Sequence, residues 1–141
     1  MSFLVAVERG GQLPFRQRAG ALLAVGAARA LAHLPPRRIR AALTVCRCGA
    51  APATYPQALA ARDAVVAASV LCAGEGCLER AIATALLCRI RGVWPTWRTG
   101  VRTSPFTAHA WVEADGQPVG EPHDSGYYRS IITILPARGA P

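Results

Sequence analysis

The sequence has no lysine and no asparagine, a single methionine, and few aromatics: three Trp, three Tyr and three Phe, or 6% of 141 residues. Alanine supplies much of the 52% apolar fraction, and alanine cores favour closely packed helices over thick sandwiches. Charged residues make up only 17%, a composition that excludes wholesale disorder. Long hydrophobic runs are also missing. The longest, Ala19–Ala28, is closed by Arg29, well short of the roughly 20 residues a membrane helix needs. The opening Met1–Arg9 lacks a basic n-region and a small-residue cleavage site, so a cytoplasmic protein without a membrane span is expected.

Charge of one sign is scarce too. Eight acidic residues face 16 basic ones, all arginine, for a net charge of +8 and an isoelectric point of about 10.3. Such a balance suits an anionic partner: nucleic acid, a membrane surface or an acidic peptide. The missing Lys and Asn look like high-GC coding, which makes part of the basicity compositional habit. The arginines are scattered and no nucleic-acid recognition motif accompanies them, so no nucleic-acid partner is expected.

The five cysteines, Cys46, Cys48, Cys72, Cys77 and Cys88, are an odd number in a chain with no secretion signal. Free thiols are expected. Cys46-Arg47-Cys48 has one intervening residue, which does not suit a zinc knuckle, and no second knuckle follows. No metal and no cofactor are expected.

A chain of 14.9 kDa is about one domain. Phe3–Val7 reads as a short strand. Helices are predicted over Phe15–Leu34, with Leu22, Val25, Leu31 and Leu34 on one face, and over Arg37–Cys48 after Pro35-Pro36. Gly49–Pro56 reads as a linker. A third helix is predicted over Gln57–Leu71, with Leu59, Val66 and Val70 inward. A fourth runs over Cys77–Arg91, with Leu78, Ile82, Ala85 and Leu86 inward, and stops at Gly92. Strands follow at Trp97–Thr103, Phe106–Glu113, Gln117–Glu121 and Tyr127–Leu135. The fold class is α+β, with N-terminal helices followed by a catalytic helix and a small antiparallel sheet. The division is an Arg-rich helical region, 1–56, and a core, 57–141, within one compact domain.

A reactive thiol must become a thiolate, either at a helix N-terminus or beside an imidazole. Cys77 follows Gly74-Glu75-Gly76 at the start of a helix, and its own backbone N–H is free to serve as an oxyanion donor. Cys46, Cys48, Cys72 and Cys88 lie within or at the end of helices and read as packing residues. Of three histidines, His33 caps a helix and His123 lies in a polar loop. His109, between Ala108 and Ala110 on a strand, is the candidate base.

The acid that would orient its ring depends on hairpin register. A two-residue loop, Asp115-Gly116, sets His109 opposite Pro122 and turns Glu121 away. A three-residue loop, Ala114-Asp115-Gly116, sets His109 opposite Glu121, about 5 Å between Cβ atoms. Glu113 shares that face about 13 Å along, and Asp115 is too remote. The expectation takes the three-residue register and Glu121, with Asp124 as runner-up.

Gly76-Cys77-Leu78-Glu79-Arg80-Ala81, Ala85–Gly92, Trp94–Arg102 and Ala108–Glu113, taken together, resemble the lasso peptide biosynthesis B protein. They resemble in particular its C-terminal leader-peptidase half, which many bacteria make as a stand-alone chain. The resemblance covers about residues 57–135. It implies a transglutaminase-like, papain-related fold and a cysteine peptidase that removes the leader of a ribosomally made precursor. Cys77 then matches the nucleophile and His109 the base. Glu121 stands where the family commonly has Asp. The implied partners are the precursor at its leader–core junction, a separate leader-binding recognition protein and a lasso cyclase. Acyl transfer of the transglutaminase type, a basic nucleic-acid-binding module and a scaffold with a dead site are the competing readings.

Overall fold

Prolines and side-chain caps set where the helices begin. The computed structural model describes residues 14–74 and 76–137; the strand expected at Phe3–Val7 lies outside them. Helix α1, Phe15–Ala32, follows Pro14 and closes at His33, whose N–H returns to the Ala30 carbonyl at 3.3 Å. Helix α2, Pro36–Cys46, has Pro36 in its first turn, where a missing N–H costs nothing. Helix α3, Tyr55–Ala68, opens on a capping box: Gln57 N–H donates to Thr54 Oγ1 at 3.3 Å, and Thr54 N–H donates to Gln57 Oε1 at 2.9 Å. The expected linker Gly49–Pro56 is therefore structured. It contains strand β1, Ala51–Pro52, and the cap that starts α3 two residues earlier than periodicity suggested.

Ser69 breaks the third helix with extended backbone, and its Oγ accepts from Cys72 N–H at 3.3 Å to start the short helix α4, Val70–Ala73. Val70 consequently leaves the inward face and is 90% exposed. Helix α5, Cys77–Ile90, is buried almost all round, from Ala81 through Ala85 and at Leu87 and Cys88. It packs against α1 and α3 on one side and the sheet on the other.

The buried faces are alanine rather than leucine. In α1 they are Ala21, Ala24, Val25 and Ala28, with Leu22 48% exposed. In α3 they are Ala58, Ala61, Ala64 and Val65, with Leu59 and Val66 only partly buried. Small side chains let helix axes approach closely, and the leucines fill the flanks of the contact instead.

Gly92, at φ +88°, ends the α5 turn. Strands β2, Val93–Trp94, and β1 pair in parallel. Strands β3, Thr96–Arg102, β4, Thr107–Ala114, β5, Gln117–Pro118, and β6, Arg129–Ile134, form an antiparallel sheet of order β5-β4-β3-β6. This is the α+β class expected. The β4–β5 pairing sets Glu113 opposite Pro118 and Ala114 opposite Gln117. The loop is thus two residues, Asp115 (φ 53°) and Gly116 (φ 75°), the twist-matched hairpin turn that Asp-Gly favours. The three-residue register was wrong. The returning strand is also shorter than Gln117–Glu121, ending at Pro118.

Gly100 lies opposite His109 at a bulge in the β3–β6 pairing. A Cβ there would come within 2.7 Å of the Arg129 carbonyl oxygen and 2.9 Å of the Trp111 ring. Gly100→Ala should destabilise the fold by about 1–3 kcal/mol through overpacking. Urea unfolding checks this, and an unchanged midpoint would show that the strands separate freely at this point.

Candidate active site

The site forms where the start of α5 meets the middle of β4. The first intrahelical bond of α5 runs from Arg80 N–H to the Gly76 carbonyl at 2.8 Å. The N–H groups of Cys77, Leu78 and Glu79 precede it and face out of the helix end, carrying the positive end of its dipole. Gly76 is buried and supplies no side-chain cap. Arg80 folds back from the first turn, and its Nη1 donates to the Cys72 and Gly74 carbonyls at 3.0 and 3.1 Å. That pair of bonds ties the segment entering Cys77 to the helix it begins.

The Cys77 thiol and the His109 ring are hydrogen-bonding neighbours. His109 Nε2 lies 2.7 Å from Glu121 Oε1, which leaves Nδ1 for the sulphur. Glu121 Oε2 is 3.7 Å from Arg62 Nη2, so each carboxylate oxygen faces its own cation. Trp111 and Tyr128 stack beside the imidazole, with ring centroids 5.8 and 5.1 Å away.

Electrostatics follow from these contacts. The bond to His109 lowers the Cys77 pKa against the penalty of burial, helped by the Ala110 backbone, by the imidazole charge and by Arg80. The bonds to Cys77 and Glu121 raise the His109 pKa to about 9, against burial. Burial opposes charge on Glu121, but the His109 bond and the charges of His109, Arg62 and Arg80 outweigh it and hold its pKa down. All three shifts favour one state: thiolate, imidazolium and carboxylate together. Burial outweighs the Arg91 charge on Cys88, whose pKa rises to about 12, and also raises that of Cys72 against the Ser69 bond and the Arg80 charge. Cys46 is half-buried. Cys48, expected to pack inside, is exposed after α2, with its sulphur 3.7 Å from the Thr44 carbonyl.

Glu121 reaches His109 by a route other than register. With the two-residue loop, continued pairing would turn Glu121 to the opposite face. Pairing stops instead: Val119 N–H still bonds the Val112 carbonyl at 2.9 Å, and then Gly120 adopts φ +65°. Its N–H donates to Tyr55 Oη at 3.2 Å. A Cβ on Gly120 would strike the Arg62 guanidinium at 2.8 Å. The turn at Gly120 swings Glu121 back under the ring. Asp115 is held away, its Oδ2 accepting from Tyr55 N–H at 2.8 Å. Asp124 is exposed in the next turn, where its carbonyl accepts from Tyr127 N–H at 3.1 Å. His33 caps α1, and His123 stacks on Tyr127 at 3.8 Å. Glu113, buried at the far end of β4, takes Trp111 Nε1–H at 2.9 Å and Arg98 Nε at 3.0 Å.

Tyr55, Arg62, Arg80 and Tyr128 were not anticipated. The available signal was Tyr55 and Arg62 two turns apart on one face of α3, facing a glycine that precedes an acid. Beside Cys77 and His109 opens a pocket of about 360 Å³ with almost wholly apolar walls. Among the described residues, no three His, Cys, Asp or Glu side chains gather as a metal site needs. No described helix is long and apolar enough to cross a membrane.

Residues 21–133, which span Cys77, His109 and Glu121, match the transglutaminase-like superfamily. The chain belongs to that superfamily. Its members are typically cysteine-dependent enzymes, and the thiol, imidazole and carboxylate lie within the matched region. No curated protein and no solved structure matches the chain at a significant level.

At neutral pH, iodoacetamide should modify Cys77 well before Cys46 and Cys48, while Cys72 and Cys88 stay inert. Its rate should reach half-maximum below the ordinary thiol value of 9.0. Glu121→Gln removes a bond that raises His109, so the His109 pKa should fall from about 9 and the Cys77 midpoint should rise. Peptide mapping across pH measures both; even labelling of Cys46, Cys48 and Cys77 would sink the assignment.

Proposed function

We propose that the protein is a cysteine peptidase that removes the leader of a ribosomally made lasso precursor, as the stand-alone peptidase of a split system. Cys77 and His109 lining one apolar pocket, with Glu121 bonded to the far side of the His109 ring, carry the reading, and the motif resemblance around Cys77 and His109 directs it to this substrate. In this reading the Cys77 thiolate attacks the scissile carbonyl carbon. The oxyanion is met by the Cys77 backbone N–H at the end of α5. The imidazolium of His109 passes its proton to the departing amine as the C–N bond breaks, leaving a thioester on Cys77. His109, now neutral, takes a proton from water, whose oxygen attacks the thioester carbonyl. A carboxylic acid product leaves and the thiolate–imidazolium pair returns. Glu121 keeps Nε2–H of the ring engaged, so that Nδ1 carries the proton traffic.

The motif resemblance implies a separate leader-binding protein and a downstream cyclase, and the reading includes both, in the cytoplasm, where thiols stay reduced. The recognition protein would raise the effective concentration of the scissile bond at Cys77. A transglutaminase-like thioester also accepts an amine in place of water, and superfamily membership favours that as the second reading. Product masses separate the two: hydrolysis adds the elements of water, whereas aminolysis retains the added amine.

Cys77→Ala should abolish cleavage of a cognate precursor without unfolding the chain, and the wild type should need the recognition protein for its full rate. Full-rate cleavage by the isolated chain would refute that dependence. Glu121→Gln should slow turnover by about 10–1000-fold, while Asp124→Asn stays near wild type. Turnover should fall as pH rises through about 9, where His109 loses its proton. In Glu121→Gln that alkaline limb should move to lower pH. Mass-spectrometric rates across pH test all of these; a silent Glu121→Gln beside a crippled Asp124→Asn would transfer the role to Asp124.

A further inference from the structure

Helix α2 lies outside the Cys77–His109–Glu121 constellation, yet it forms part of the same cavity. The pocket beside Cys77 is walled by Pro36 and Ile39 of α2, Leu78 of α5, Val101 and Ala108 across β3 and β4, and Ile131 of β6. None of these side chains carries a charge or an amide. Any charged or carboxamide group entering would be stripped of water with little to replace it. An apolar side chain gains by the same burial. Ile131 is 63% exposed at this mouth, apolar surface that a substrate chain would cover.

The residues between and beyond those two wall positions are of the opposite character. Arg37, Arg38 and Arg40 are exposed, and none has an ion-pair partner among the described residues. The first turn of α2 holds no acid. Arg37 and Arg38 therefore stand at the positive end of a helix dipole, where cations are unfavourable. Nothing among the described residues offsets that arrangement, and an anionic chain laid along α2 would.

We propose that α2 reads the substrate: an apolar side chain next to the scissile carbonyl fills the pocket behind Cys77, while an acidic stretch of the same polypeptide lies along Arg37, Arg38 and Arg40. The inference rests on Cys77 as the nucleophile of the proposed reading, and it names the chemistry of the chain presented to it. Exposed charge along α2 raises encounter rates and is weakened by salt. Apolar contact is not.

Thiol-reactive peptides test the proposal on the intact chain without a known precursor. Chloromethyl ketones place the peptide on the amino side of the reacting carbon, and iodoacetyl peptides place it on the carboxyl side. Each carries Leu or Ser next to the reactive group, and then a run of Glu or of Ser. In at least one direction, Leu should label Cys77 about tenfold faster than Ser, a ratio that Ile131→Asp should erase and that salt should leave unchanged. The Glu run should exceed the Ser run about tenfold at about 50 mM salt and lose that advantage at about 500 mM. Arg37→Glu/Arg38→Glu/Arg40→Glu should reverse the preference, and the matching Gln triple should abolish it. Equal rates for Glu and Ser runs in both directions, or for Leu and Ser, overturn the proposal. Selective labelling by a protein that cleaves no lasso precursor would overturn the peptidase reading and leave this one standing. Failure of Cys77 to outpace Cys48 would overturn the nucleophile, and the inference with it.

Discussion

The contact between His109 Nε2 and Glu121 Oε1, 2.7 Å long, is the constraint that organises this end of the molecule. It needs a carboxylate in a half-buried place, which burial opposes and neighbouring cations make tenable. Arg62 supplies one of those cations from α3, and Arg80 adds charge from α5. It also needs backbone that turns off the strand, and Gly120 supplies that against the Tyr55 hydroxyl. Tyr55 in turn is fixed at its N–H by Asp115 in the hairpin tip. One histidine thus collects positioning from two helices and a hairpin, while its pKa is raised by Cys77 and Glu121, the two groups bonded to its ring.

The thiol side is simpler and more local. Cys77 opens α5 after two glycines that flank Glu75, and Arg80 in the same turn ties the entering segment down. The helix that carries Cys77 is the most enclosed helix among the described residues, held between α1 and α3 on one side and β4 on the other. Alanine faces make that enclosure possible. A nucleophile at the end of a helix packed this closely has little freedom to drift from a base on the adjoining strand.

The helical half and the hairpin could be located from the sequence to within a few residues, because proline, glycine and Asp-Gly punctuate local geometry. Which side chains face inward was less legible. The leucines of α1 and α3 carry the strongest periodic signal, yet Ala21, Ala24, Ala28, Ala58 and Ala61 are the most buried. Hydrophobicity ranks leucine first, whereas close helix contact selects the small residue. Register failed for a related reason. Pairing arithmetic assumes that a strand continues, and β5 stops at Pro118, so the acid beside His109 arrived by a turn that no pairing rule contains.

By itself, the sequence determined the fold class, the helix start at Cys77, the strand bearing His109 and the free state of the thiols. Each depends on neighbours within a few positions, or on composition. Only the tertiary structure decided that Glu121 rather than Asp124 meets the imidazole, that Arg62 and Arg80 hold the charges in balance, and that Pro36 and Ile39 of a distant helix wall the pocket at Cys77. The His109–Glu121 contact spans 12 residues, and the others join segments dozens of residues apart. Their geometry is set by how α3, α5 and the sheet close on one another, and no local pattern encodes that distance.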